Sequence, residues 1–432
     1  MPALSRSGTR SGTESPFRWG KRATAALADQ ALFALANFTL NVILARSLPP
    51  HQYGAFAVCF SVLLLLGNVH QAIIIEPMMV FGAGRFADRL PGALRAIVGI
   101  HVRASVLGTL LLLAAAIVTW TLDAQATLVT TLAAAGLAAP FILLLWLARR
   151  ATYVAGRVHL AVASGAGYFF LIAGGAVGLH WLNALSAASS FALMAAASSV
   201  AGGSILSPLL KGPSHHVSFK ELLPLVYGYG RWSLASSLLA WIPTNLLLLA
   251  LPIIATLSEA AAYRAAFNVV MPVLLAASAL TTLLLPSFTK RIRAGDYRPL
   301  LRATLAIFGC SSAAYSVLLA VAGPRILTVL YGGEYTFDRL FLALFGLLLL
   351  PETAWMILAT LFRAAEKPNY VFWSALLAAA STLIVGVPLT VFQGIYGTII
   401  AAILAALIQL TTLLLFLNKE PLAIVSVRRP PS

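Results

Sequence analysis

Apolar residues run along this chain in long blocks divided by short polar punctuation, without the alternation of half-buried strands or the one-sided period of a surface helix. Crossing a hydrocarbon layer of about 30 Å takes roughly 20 helical residues. Blocks of that length fall at residues 24–47, 55–79, 96–121, 126–147, 159–179, 182–209, 223–250, 262–288, 302–322, 340–361, 370–391 and 395–417. The pattern predicts an all-α, polytopic membrane protein of about twelve transmembrane helices. The thinnest division is "GLHWLN", between spans 5 and 6, where only a few polar residues separate two apolar runs. If those runs were one re-entrant element, the charge pattern after them would invert, and it does not.

Composition agrees with this reading: 60% of the 432 residues are hydrophobic and 10% charged, against about 25% charged in a soluble domain. A net charge of +16 would suggest nucleic acid in a soluble protein. Its distribution assigns it to topology instead. With the N-terminus in the cytoplasm, 23 of the 29 lysines and arginines lie on the cytoplasmic side, and only Arg46, Arg325 and Arg339 fall outside. That is the positive-inside bias, so both termini are expected in the cytoplasm and no nucleic-acid partner is expected. Residues 1–22, rich in Ser, Gly, Thr and Arg, read as a disordered cytoplasmic lead. The apolar run that follows is too long and too polar for a cleaved signal peptide. Cys59 and Cys310 stand in different spans, and the adjacent His215 and His216 cannot close a metal site without further ligands. Neither a metal nor another cofactor is expected.

A weak internal repeat organises the spans. An offset of 210 residues aligns Tyr53 with Tyr263 and "III" at 73–75 with "LLL" at 283–285, with Pro77 and Pro286 beside them. Six spans per half is an even number, so the halves share one orientation, the parallel-repeat arrangement of transporters. The expected organisation is a six-helix lobe at 23–210, a cytoplasmic linker at 211–221, a second six-helix lobe at 222–418 and a tail at 419–432. In this scheme "LPPHQYGAF" (48–56) is a tight external turn, with Tyr53 at the membrane–water interface.

Three segments carry a resemblance to a family. "ILARSLPPHQYGAFAV", "YGGEYTFDRLFLALFGLLLL" (331–350) and "LFRAAEKPNY" resemble polysaccharide-biosynthesis flippases of the Wzx type, within the multidrug/oligosaccharidyl-lipid/polysaccharide (MOP) superfamily. The resemblance covers most of residues 20–418 and rests on diffuse patterns of Gly, Tyr, Pro and charge. It implies two six-helix lobes around a central cavity, in a bacterial inner membrane. The implied activity moves a polyprenyl-pyrophosphate-linked oligosaccharide to the outer leaflet, with membrane lipids and a glycan polymerase or export machinery as further partners. Spans 4 to 6, 11 and 12 are poorer in polar residues than this scheme suggests.

Polar residues inside apolar spans name the candidate site. Arginine in hydrocarbon costs about 2.5–3.5 kcal/mol on insertion scales and so marks a cavity or a partner. Arg231 in span 7 lies within about 40° of Tyr227 and Asn245 at 100° per residue. Arg264 and Asn268 share a face of span 8, and Gln30, Asn37 and Asn41 share one of span 1, with Asp29 on its flank. Arg103 lies in the cytoplasmic third of span 3. The arginines are candidates for binding pyrophosphate, whose oxygens suit the guanidinium fork. Asp29 and Glu352 are candidates for charge pairing or ion coupling. Pro243, Pro252, Pro272 and Pro351 are candidate bending points. No Walker A sequence, zinc cluster or nucleophile elbow occurs, and the longest external loop is too short for a catalytic domain, so no enzyme is expected. The rival reading is an ion-coupled exporter of small cations, whose cavity would favour carboxylates over arginines.

Overall fold

A computed structural model describes residues 16–83, 86–122, 125–211, 217, 221–224, 226–227, 234, 237–239, 241–335, 337–365 and 367–419. Spans 1 and 2 are α1 (Pro16–Ser47) and a stack of α2 (Pro50–His70), a π-helical turn (Gln71–Ile75) and α3 (Glu76–Ala83). Spans 3 to 6 are α4 (Leu90–Thr121), α5 (Ala126–Val154), α6 (Val158–Trp181) and α7 (Ala187–Leu210). Span 7 contributes a second π-helical turn (Ile242–Leu246), which contains Pro243, and α8 (Leu247–Ile254). Spans 8 to 10 are α9 (Leu257–Arg293), α10 (Arg298–Tyr331) and α11 (Arg339–Ala364). The chain then continues through α12 (Pro368–Ser381), a third π-helical turn (Thr382–Gly386) and α13 (Val387–Lys419).

Among the described residues, ten stretches are long and apolar enough to cross a membrane, and the last, Pro368–Lys419, has 52 residues. It folds back once. Gly394, near the start of α13, has φ 55° and ψ −132°, a backbone open to glycine because no Cβ obstructs it. The two limbs of that bend correspond to spans 11 and 12. The break expected at "GLHWLN" is also present: α6 ends at Trp181, Asn183 takes a positive φ of 53°, and Ser186 starts α7 through a reciprocal capping box with Ser189.

One expectation is corrected. "LPPHQYGAF" is mostly helix, because Pro50 occupies the first turn of α2, where its missing N–H has no partner to lose. The turn shrinks to Leu48 and Pro49, and Tyr53 is fully buried (0% exposed) instead of lying at the membrane surface.

The helices pack as two groups, α1 to α7 and α8 to α13, and the cores show where these meet. One large core takes residues from both: Leu40, Tyr53 and Phe56 with Tyr263, Val270, Tyr331 and Phe345. It lies at the end of the molecule that carries the α1–α2 turn. At the opposite end the cores are separate. Ile75, Met78, Ile97 and Leu209 form one, joined by Val217, Leu222 and Val226 from the segment that leads into span 7, and Phe288, Ile292, Ile357 and Phe362 form the other from the second group. The two groups therefore share one core at one end and have separate cores at the other, where the start of span 7 packs with the first group.

The fused end is built on α2 against α9, the two helices aligned by the 210-residue offset. Close approach depends on Gly54, where an added Cβ would lie 1.8 Å from the Leu257 carbonyl oxygen. Past Leu274, α9 leaves this packing, and Leu275, Leu280 and Leu285 are exposed at 39%, 46% and 39%. The change of environment follows Pro272 by less than one turn.

Candidate functional site

The fused end holds a buried polar cluster drawn from α1, α2, α9 and α10. Polar side chains inside a membrane bundle bond to neighbouring helices because lipid offers them nothing. Tyr53 does so twice: its hydroxyl donates to Asn41 Oδ1 at 3.2 Å and accepts from Asn268 Nδ2 at 2.8 Å. This three-residue chain joins α1, α2 and α9, linking the two helical groups through a single ring. Asn41 is further fixed by donating to the Asn37 carbonyl at 2.9 Å, and Asn37 donates to that of Phe33 at 3.0 Å. Tyr331 donates to the Ala265 carbonyl at 2.9 Å and Tyr315 to that of Val269 at 2.8 Å. These bonds hold α10 to the back of α9.

Arg264 sits within this cluster and is only 7% exposed. Its guanidinium lies over the rings of Phe60 at 5.4 Å and Phe267 at 6.0 Å, with Tyr53, Tyr331 and Tyr263 around it. No carboxylate among the described residues pairs with it, and its Nε has no hydrogen-bond partner. Cation–π contact with phenyl rings recovers about 1–2 kcal/mol, less than the several kcal/mol that burying an ion costs. Gln52 Oε1, Glu259 Oε2 and Tyr335 Oη, from the same end, are also buried without partners. The closed seam thus stores polar groups whose bonding is completed only by water or a ligand.

The remaining candidates are scattered. Gln30 is exposed on α1, and Arg103 is exposed on α4, where it donates to the Gly99 carbonyl one turn back at 2.9 Å. Tyr227 is 68% exposed, Asn245 donates within its own turn to the Trp241 carbonyl at 3.4 Å, and Arg231 lies outside the described residues. Glu352 is half-buried on α11 beside Pro351 and forms no ion pair among the described residues.

Asp29 is 1% exposed, and its partner is Arg149, a residue that the topology places at the cytoplasmic end of span 4. Arg149 Nη2 lies 2.9 Å from Asp29 Oδ2 and its Nε donates to Oδ1 at 2.9 Å, while Tyr153 donates to Oδ2 at 2.8 Å. The guanidinium also covers the Phe33 ring at 4.0 Å. With both oxygens bonded, this pair ties α1 to α5. Asp29→Asn is expected to cost about 3–5 kcal/mol by leaving Arg149 buried without a counter-ion. In a thermal melt in detergent, the single variant should fall well below the parent, and Asp29→Leu with Arg149→Met should recover most of the loss.

A second buried pair escaped the sequence reading. His70 Nε2 and His101 Nδ1 are 2.9 Å apart between α2 and α4, and Ser105 Oγ is 3.2 Å from the same His101 nitrogen. Both rings are almost fully buried, and the π-helical turn of span 2 begins at the next residue, Gln71. The signal was present: one histidine in each of two adjacent apolar spans, where an isolated polar residue needs a partner.

No family model and no curated relative matches the sequence. The fold does have solved counterparts. An inward-facing multidrug resistance MATE family transporter of the MOP superfamily superposes with a TM-score of 0.71 at 14% identity, over 92% of this chain and 97% of that one. The lipid II flippase MurJ, in an inward closed conformation, gives 0.67 at 14% identity over 92% and 87%. A MOP superfamily transporter from Pyrococcus furiosus, described by a reversed polarity of its binding pocket, gives 0.65 at 13% identity over 93% and 95%. The chain has the all-helical, two-lobed fold of MOP superfamily transporters.

Proposed function

We propose that this protein is a flippase that carries a polyprenyl-pyrophosphate-linked oligosaccharide, or a related polysaccharide precursor, across the bacterial cytoplasmic membrane by alternating access. The observation that carries this reading is Arg264, a buried cation between the lobes with no carboxylate among the described residues to neutralise it. A site that keeps such a charge is suited to an anion, and a guanidinium offers phosphate oxygens a planar set of donors. With the positive-inside orientation, the fused end faces outward and the separately cored end faces the cytoplasm. This is an inward-facing arrangement, in keeping with the higher similarity to the inward-facing MATE transporter (0.71) than to an outward-facing one (0.65).

In this cycle, the pyrophosphate and sugars enter the cytoplasmic cleft while the polyprenyl tail stays in lipid. Parting of α2 from α9 then exposes Arg264, Gln52, Glu259 and Tyr335 to the outside, where water or the headgroup completes their bonds. The π-helical turns of spans 2, 7 and 11 supply places at which helices can bend, since each carries an irregular hydrogen-bond ladder. Synthesis of a surface glycan by a polymerase would consume the product.

The competing reading is a MATE-type exporter of small organic cations, because MATE transporters share the fold. Binding to the purified protein in lipid nanodiscs separates the two. Saturable binding of a polyprenyl-pyrophosphate oligosaccharide, with none of a panel of organic cations, is the expected result. Binding of the cations alone would replace the flippase reading with the exporter one.

A further inference from the structure

A further contact between the lobes, α1 against α10, bears an open groove of about 500 Å³ lined by Val42, Arg46, Arg325, Ile326, Val329 and Leu330. Val42 and Arg46 are one turn apart on α1. Arg325, Ile326, Val329 and Leu330 form the matching stripe on α10. Each helix therefore brings an apolar wall and one guanidinium, and Val329 is 78% exposed on what would be the lipid-facing side.

Neither arginine forms an ion pair or hydrogen bond with a described residue. Both belong to the three basic residues that the topology leaves on the depleted side, among 29 in the chain. Two of the three thus converge on a single groove, against the bias that removes arginine from that side. Part of the position of Arg46 has a local cause: its side chain lies against Gly332, 3.6 Å from where a Cβ would be, and the carbonyl end of α10 attracts a cation. Arg325 has no such cause. It stands about 9 Å below the end of α10, at 1.5 Å per residue.

We propose that this groove binds one acidic phospholipid of the surrounding leaflet. Its phosphate sits between Arg46 and Arg325, and an acyl chain runs along Val42, Ile326, Val329 and Leu330. The guanidiniums match phosphate oxygens, and the apolar walls give a lipid something that free phosphate cannot use. The site goes beyond the transport reading and does not depend on the substrate, because a bilayer lipid reaches it laterally while the outer seam stays closed. It would fasten α1 to α10 across the lobes.

The test uses the full-length protein in nanodiscs of phosphatidylcholine containing equal small amounts of phosphatidylglycerol and a polyprenyl monophosphate, with bound lipid read by native mass spectrometry. Phosphatidylglycerol is expected to be retained about tenfold over phosphatidylcholine, the worth of one charge-assisted pair, and Arg46→Gln with Arg325→Gln should abolish the preference. An unchanged preference in the double variant overturns the site, as does retention of the polyprenyl phosphate in place of phosphatidylglycerol. Melting in pure phosphatidylcholine provides the control for folding. If Arg46 merely neutralises the end of α10, Arg46→Gln will melt lower in both lipids while the preference persists, which also overturns the proposal.

Discussion

Replacing Arg264 by Met is expected to weaken binding of the lipid-linked glycan by about 10- to 100-fold while raising the melting temperature of the protein. The two effects have opposite signs because one side chain has two environments. In the closed seam the guanidinium is 7% exposed, and among the described residues it has no counter-ion and its Nε no hydrogen-bond partner. Methionine keeps an apolar stem against Phe60 and Phe267 and removes the buried charge, and such exchanges stabilise by roughly 1–4 kcal/mol even where the charge had a partner. In the loaded state the same change deletes charge-assisted hydrogen bonds to phosphate, worth about 1.5–3 kcal/mol. Arg264→Lys keeps the charge and loses the fork, so it should fall between parent and Met in affinity. The measurements are glycolipid titration in nanodiscs and thermal melting of the same preparations. Unchanged affinity in Arg264→Met would remove the residue from the site; lower stability would show that its charge is compensated.

A valine at position 54 is expected to move the protein toward the outward-open state. The Cβ it introduces would lie 1.8 Å from Leu257 O, 2.6 Å from its carbonyl carbon and 3.2 Å from its Cα, all backbone atoms. No rotamer change relieves such an overlap, so α2 and α9 must separate. Overpacking of this kind costs roughly 1–3 kcal/mol or more, which shifts the ratio of open to closed molecules by on the order of 10- to 100-fold. The separately cored opposite ends are untouched, so the lobes have somewhere to rock. A reporter is available on α2. Ala57 is fully buried and lies within about 40° of Tyr53 on the helical face. In a background of Cys59→Ser and Cys310→Ser, Ala57→Cys should resist a membrane-impermeant maleimide in the parent and react in Gly54→Val. Equal resistance in both would mean that the seam does not open on that side, and a preserved melting transition shows that the variant has folded.

The sequence was most informative where the property is one-dimensional. Transfer out of water depends on the run of side chains along a helix, so the positions of the described spans and the break at "GLHWLN" could be read directly. The face shared by Asn37 and Asn41, and that of Arg264 and Asn268, followed from the helical period alone. What hid Tyr53 was its place beside two prolines: both a turn and a helix start fit that pattern, and the choice depends on whether the next residues find partners. Here they find them in Asn41 and in Asn268, 215 residues away.

Partnership between charges was likewise beyond the linear pattern. Counting lysines and arginines assigned Arg149 to a cytoplasmic loop, yet it pairs with Asp29, 120 residues away, because α6 packs against both α1 and α5 and brings their ends together. The limits of span 8 placed Arg264 at its external end without revealing the aromatic rings that surround it. Nothing in the linear pattern paired His70 with His101, whose nitrogens α2 and α4 bring to 2.9 Å.

By itself, then, the chain determined that it is helical, that it resides in a membrane and which residues make each helix polar on one side, because hydrophobicity and helical period are local properties. Tertiary structure alone decided which of those polar faces meet, which cation has no counter-charge among the described residues and which end of the two lobes is closed. Those depend on the packing of helices far apart in sequence, and the energy of a buried charge is fixed by what surrounds it, not by its neighbours along the chain.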